Sequence, residues 1–147
     1  MKIISHRGNL AGADSGLENS PPYILTALNV GFDVEVDLWG INGSFYLGHD
    51  KPLYKIDVPF LNDKMWIHCK NLKAANVLQT MNLNWFWHQD DMMTITSKGY
   101  VWSRPGFFIN DGITVECGKP LETPENILGV CTDYPIEWRI KLNEEQT

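Results

Sequence analysis

The chain has 147 residues, 44% of them hydrophobic and 20% charged, with a net charge of -6 from 12 basic and 18 acidic side chains. That is the size and composition of one ordinary globular domain. The acidic balance argues against a main task of gripping nucleic acid or an anionic membrane, although one pocket can still be locally positive. No apolar run approaches the ~20 residues needed to cross a bilayer, so no integral membrane contact is expected. The opening MKIISHRG has no apolar core of a signal peptide. Cys69, Cys117 and Cys131 form no C-x-x-C pair. A disulfide framework or structural zinc site is therefore not expected, and a reducing, cytoplasmic setting is.

In chain order, KIIS at the start reads as a first strand, followed by the Gly-rich loop HRGNLAGADSG. ENSPPYILTALNVG reads as a helix: Asn19 or Ser20 as N-cap, Pro in the first turn, apolar spacing at Ile24, Leu25 and Leu28, and Gly31 as the stop. FDVEVDLW is a second strand, and INGSFYLGHD a tight turn at Asn42-Gly43 leading into another. MWIHCK is a strand, NLKAANVLQTMN a helix and NWFWHQDD a strand. TITSKGYVWSRPG, GITVECG and ILGVCTDYP read as short strands joined by loops, and PIEWRIKLNEEQT as a terminal helix. The strand–helix alternation of the first half predicts a parallel α/β sheet.

Alternate residues of a strand share a face. Glu35 and Asp37 therefore lie together, with Asp33 near them, and Val34, Val36 and Leu38 take the other face. His68 and Lys70 share a face of MWIHCK. His6-Arg7-Gly8 closes the first strand, and His49-Asp50 closes the one after the hairpin. An antiparallel strand with one wet face would also alternate charge and valine. With histidines, an arginine and a lysine at other strand ends, a ligand site is the better reading, since open α/β sheets and barrels bind there.

Two carboxylates on one strand face repel unless something positive lies between them. A divalent cation does this, and hard oxygen ligands suit Mg²⁺ or Ca²⁺. Together with Arg7 and Lys70 it would make a positive pocket suited to a phosphate. Two histidines offer a base and an acid near neutral pH.

HRG at 6–8, EN at 18–19, EVD at 35–37, GHD at 48–50 and GVCTDYP at 129–135 stand in the order seen in glycerophosphodiester phosphodiesterases. The chain resembles that family and the wider group of phosphatidylinositol-phospholipase-C-like phosphodiesterases. The resemblance implies a metal-dependent phosphoric diester hydrolase with a TIM-barrel fold. It implies His6 and His49 as the acid/base pair, Arg7 on a phosphate oxygen, and Glu35 and Asp37 as metal ligands. It also implies that Glu18 and Asn19 shape the metal and phosphate site, and that Lys70 balances charge. The family has Glu-x-Lys where this chain has His68-Cys69-Lys70. A histidine there softens the site toward Mn²⁺ or Zn²⁺, weakens it, or is simply a hydrogen-bonded strand histidine.

TIM barrels have roughly 250 residues. The expected fold is therefore α/β, a compact, trimmed TIM-type (β/α) barrel with several helices missing in its second half. Among other candidates, His88 lines the mouth or caps its strand. Trp39 and Trp102 are pocket walls. Asp133 orients a site histidine, holds Arg7 or forms a turn before Tyr134-Pro135. The expected partner is a small phosphodiester, glycerophosphodiester-like or linked to a polysaccharide. Rival readings are a weakened barrel that binds a phosphorylated glycan, and an assembly module whose Trp-rich faces meet a partner. Homodimerisation would suit either an enzyme or an assembly module.

Overall fold

The computed structural model describes residues 1–120 and 126–145. Five parallel strands form its centre: β1 (Lys2–His6), β2 (Asp33–Ile41), β5 (Met65–Cys69), β9 (Ile113–Val115) and β10 (Gly129–Thr132). β6 (Asn84–Phe86) extends this sheet in parallel beyond β5, and β8 (Val101–Ser103) beyond β9. Two antiparallel additions complete it: β3 (Ser44–Leu47) with β4 (Tyr54–Ile56) beside the end of β2, and β7 (Met93–Ile95) beside β8. The helices are α1 (Pro21–Asn29), α2 (Leu72–Leu78) and α3 (Pro135–Glu145). No helix among the described residues is long and apolar enough to cross a membrane.

The fold is a curled mixed sheet, a half-barrel, and the expected TIM barrel is not found. A (β/α) barrel needs a crossover helix after nearly every strand. Here α1 follows β1 and α2 follows β5, but no helix of the described residues lies between β6 and β10. Among the described residues the chain there uses loops and an antiparallel β7–β8 pair. Among the described residues β6 pairs only with β5, so no hydrogen-bonded ladder closes the curl.

The two sheet faces have separate cores. On the convex face Val34, Val36 and Leu38 pack against Ile24 and Ala27 of α1 and Ala74, Ala75 and Leu78 of α2. Each of the valine, leucine and isoleucine side chains contributes about 1.5–3 kcal/mol when fully buried. On the concave face Ile4, Trp66, Phe86, Trp102, Ile113, Val115 and Cys131 fill the bottom of the curl. Phe86 stacks on Trp102 at 4.6 Å between ring centroids, and Trp102 lies 5.7 Å from Trp66. These rings join the two flanks of the curl by side-chain packing. Above that apolar floor the concave face turns polar, and the candidate site begins there.

Candidate functional site at the C-terminal strand ends

Residues paired across parallel strands stand side by side on one face. The β1–β2 register sets His6 beside Glu35, and the β2–β5 register sets Asp37 beside His68. The strand alternation therefore delivers four ionisable groups to the concave face in two layers. Beyond β1 the backbone turns sharply. Arg7 has φ 54° and Asn19 φ 63°, left-handed conformations uncommon for residues with side chains. The Arg7 amide donates to the Glu35 carbonyl at 3.0 Å, and the Asn19 amide donates to the Arg7 carbonyl at 3.0 Å. Gly8 follows at φ +91°, where a Cβ would stand 2.9 Å from the Tyr23 ring. This turn folds both Arg7 and Asn19 back over the strand ends.

Asp37 is fully buried and surrounded by donors. Asn19 gives its side-chain amide to Asp37 Oδ2 at 2.9 Å and accepts the Asp37 amide at 2.9 Å. Arg7 Nε lies 3.1 Å from Oδ2, while His68 Nδ1 and Lys70 Nζ lie 3.2 and 3.5 Å from Oδ1. Burial alone would raise the Asp37 pKa. His68, Arg7 and Lys70 outweigh it and hold this carboxyl well below the usual range. Glu35 has no such cage: burial first, and then the charge of Asp37, push its pKa up.

Glu35 Oε2 is buried with no hydrogen-bond partner among the described residues, while the buried Asp37 Oδ1 meets His68 and Lys70 as ion pairs. Ligand atoms of Glu35, Asp37 and His68 lie within 4.8 Å of one another. His68 Nε2 faces the His88 carbonyl at 3.5 Å, which orients Nδ1 toward the carboxylates. Orphaned buried oxygens are costly, and this donor set fits a divalent cation. One imidazole beside two carboxylates suits Mn²⁺ or Zn²⁺ better than Ca²⁺.

His6 and His49 are each paired to a carboxylate. His6 Nδ1 donates to Asp133 Oδ1 at 2.7 Å, and His6 Nε2 lies 3.9 Å from Glu35 Oε2. Burial would lower the His6 pKa, but Asp133, Cys117 and Glu35 together push it up to about 10. His6 is thus an imidazolium at neutral pH. Asn9, also buried, donates to Asp133 Oδ1 at 2.8 Å and to Glu18 Oε1 at 2.9 Å. His49 Nδ1 donates to Asp50 Oδ1 at 2.7 Å, which leaves Nε2 as an acceptor. β2 has two edges; β5 takes one, and β1 and β3 share the other. The hairpin therefore carries His49 back above the end of β1. At Gly48, with φ +147°, a Cβ would collide with the Lys51 carbonyl oxygen. The indole of Trp39 donates to the Gly48 carbonyl at 2.6 Å and pins this turn.

These groups open into a cavity of about 320 Å³. His6, Arg7, Glu35, His49, His68 and Lys70 line its polar side, and Phe86, Trp102 and Val115 its floor. His88 stands at the mouth with its ring 4.9 Å from that of His68, and its pKa is lowered by burial and by that neighbour. A second, more open groove of about 460 Å³ adjoins it, sharing Lys70, Trp87 and Gln89.

Most of the residues expected from sequence thus meet in one place. Five expected residues, Asp37, Asn19, Glu18, Trp39 and Asp133, stand behind the cavity wall. Glu18 holds the Arg7 guanidinium at 3.1 Å, Trp39 holds the His49 turn, and Asp133 holds His6. Sequence reasoning missed Asn9, Asp50 and Arg104. Arg104 lines the cavity beside Pro105. Asp50 was legible as the neighbour of His49 in GHD. Asn9 and Arg104 sit in loops with no spacing signal. In comparisons with protein-family models, curated proteins and solved structures, no match to the chain is found.

Proposed function

We propose that the chain is a metal-dependent phosphodiesterase acting on a small phosphodiester, glycerophosphodiester-like or linked to a sugar, in a cytoplasmic setting. One observation carries this reading: two buried carboxylates, Glu35 with an oxygen that accepts no hydrogen bond and Asp37 beside it, stand with His68 at the base of a cavity whose walls supply Arg7, Lys70 and two carboxylate-oriented histidines. Glu35, Asp37 and His68 would hold the cation, which supplies Lewis-acid stabilisation of charge on the phosphate.

The remaining chemistry belongs to the chain. Arg7 and Lys70, already aligned on Asp37, can turn part of their charge to the non-bridging oxygens, where negative charge develops. His49 Nε2 takes the proton of the nucleophile, water or a neighbouring substrate hydroxyl. His6, held as the imidazolium by Asp133, protonates the departing alkoxide. Displacement at phosphorus is roughly in line, so acid and base work from opposite sides.

A second reading is favoured by one feature. Arg7, His68 and Lys70 already surround Asp37, so the pocket can stay folded without a cation and bind a phosphorylated glycan without cleaving it. Hydrolysis of bis(p-nitrophenyl) phosphate after EDTA treatment, with Mg²⁺, Ca²⁺, Mn²⁺ or Zn²⁺ restored, separates the two. Metal-restored turnover that falls by ~100-fold or more in both His6→Ala and His49→Ala supports the enzyme. Unchanged turnover in both variants would sink the acid/base assignment. Phosphate-ester binding without turnover under any metal favours the binding module.

A further inference from the structure

Beside the carboxylate pair lies a second cluster of metal-ligating atoms. His6, Cys117 and Asp133 hold one ligand atom each within 4.8 Å of the others. His6 Nδ1 is 2.7 Å from Asp133 Oδ1 and 3.9 Å from Cys117 Sγ. His6 ends β1, Asp133 follows β10, and Cys117 lies two residues beyond β9. These three strands are neighbours in the parallel sheet, so the juxtaposition is fixed by the fold. Asn9 braces the carboxylate from behind at 2.8 Å. Cys117 is only half-buried, which leaves a path from solvent.

The two clusters differ in softness. Glu35, Asp37 and His68 offer two carboxylates and an imidazole. The other replaces one carboxylate with a thiol, which selects zinc-like ions over Mg²⁺ or Ca²⁺. We propose that His6, Cys117 and Asp133 form a second, inhibitory site for a soft divalent cation of the zinc class, separate from the carboxylate site. The binding half stands on geometry alone. The inhibitory half rests on the reading of His6 as the acid.

The geometry needs little adjustment. Zinc bonds of about 2.0–2.3 Å at tetrahedral angles set ligand atoms about 3.3–3.7 Å apart. The sulfur must close slightly on His6. The His6–Asp133 pair must open by about 0.6 Å or more, as a cation takes the place of the proton between them. Binding releases that Nδ1 proton and the Cys117 thiol proton, leaving thiolate, neutral imidazole and carboxylate on the metal, with water as the fourth ligand. Coordination through Nδ1 breaks the His6–Asp133 pair that orients the ring and so takes His6 out of its catalytic position. The other thiols cannot substitute: Cys69 and Cys131 are buried, and burial pushes the Cys69 pKa up to about 12.

The test is titration of the metal-free full chain with Cd²⁺, following the thiolate-to-metal charge-transfer band in the ultraviolet. The expected result is one band-forming ion per chain, lost in Cys117→Ser, retained in Glu35→Gln and displaced by Zn²⁺. No band in the wild type, or a band surviving in Cys117→Ser, would overturn the site. Circular dichroism of Cys117→Ser verifies that it folds. In Mn²⁺-supported hydrolysis, the Zn²⁺ concentration for half-inhibition should rise by about tenfold or more in Cys117→Ser. Equal inhibition of both proteins would overturn the inhibitory role. Absence of hydrolysis with the band intact refutes the phosphodiesterase reading and the inhibitory role, and leaves the metal site standing.

Discussion

Asp133→Asn removes one charge beside His6 and almost no volume. The Asn oxygen can still accept from Asn9 and from His6 Nδ1, so the geometry should hold. What changes is the balance on His6: burial pulls its pKa down, and Asp133 is the foremost of the groups that raise it to about 10. An opposite charge in hydrogen-bond contact is worth about 1–3 pH units, so the His6 midpoint should fall by that much in the metal-free variant. The sign for stability follows. A pKa raised from 6.5 to about 10 stabilises the fold fully below 6.5, and the stabilisation is lost as pH rises through about 10. Asp133 itself is held low, by His6 against its own burial, so its share persists above the ordinary carboxylate range and disappears in acid. At pH 6 the variant should therefore lose about 1.5–4 kcal/mol, and the deficit should shrink toward pH 10. Urea unfolding at the two pH values measures this, and NMR titration of the His6 ring reads the midpoint directly. A wild-type His6 that titrates near 6.5, or a midpoint unmoved in Asp133→Asn, would refute the reasoning.

Three further outcomes follow from the same geometry. Glu35→Gln should stabilise the metal-free protein by about 1 kcal/mol while abolishing metal-supported turnover, because a buried carboxylate with a raised pKa opposes folding at neutral pH; thermal unfolding in EDTA and a rate assay check both halves. Trp39→Phe keeps the ring and deletes the donor to the Gly48 carbonyl, so kcat should fall with KM nearly unchanged, and steady-state kinetics separates this from a binding defect. His68→Glu should shift metal preference from Mn²⁺ toward Mg²⁺ and Ca²⁺, read as the ratio of metal-restored rates.

The site was more legible in the sequence than the fold. Period-two alternation in DVEVDLW and MWIHCK fixes which side chains share a face, and parallel pairing then sets Asp37 beside His68 without further information. Ion pairs such as Arg7 with Asp37 follow from the turn after β1, which the Gly-rich HRGNLAGADSG stretch announces. The barrel expectation failed at closure: helices missing from the second half were expected, but the antiparallel β3–β4 and β7–β8 pairs and the open edge of β6 were not. Nothing local in MTI or VWS tells an antiparallel neighbour from a parallel one. Cys117 carried no metal signal without a C-x-x-C partner, since its proximity to His6 depends on β9 and β10 lying next to β1. The roles of Trp39 and Asn9 depend on loop paths, which short-range patterns do not encode.

The central claim is that a cation belongs between Glu35 and Asp37 and that a phosphate belongs on it. Calorimetric titration of the metal-free protein with Mn²⁺, in the wild type, Glu35→Gln and Cys117→Ser, tests it most directly. The account predicts one Mn²⁺ per wild-type chain, retained in Cys117→Ser and lost in Glu35→Gln, with tighter binding of a phosphate ester once Mn²⁺ is bound. No Mn²⁺ binding to the wild type, or binding undiminished in Glu35→Gln, would contradict it.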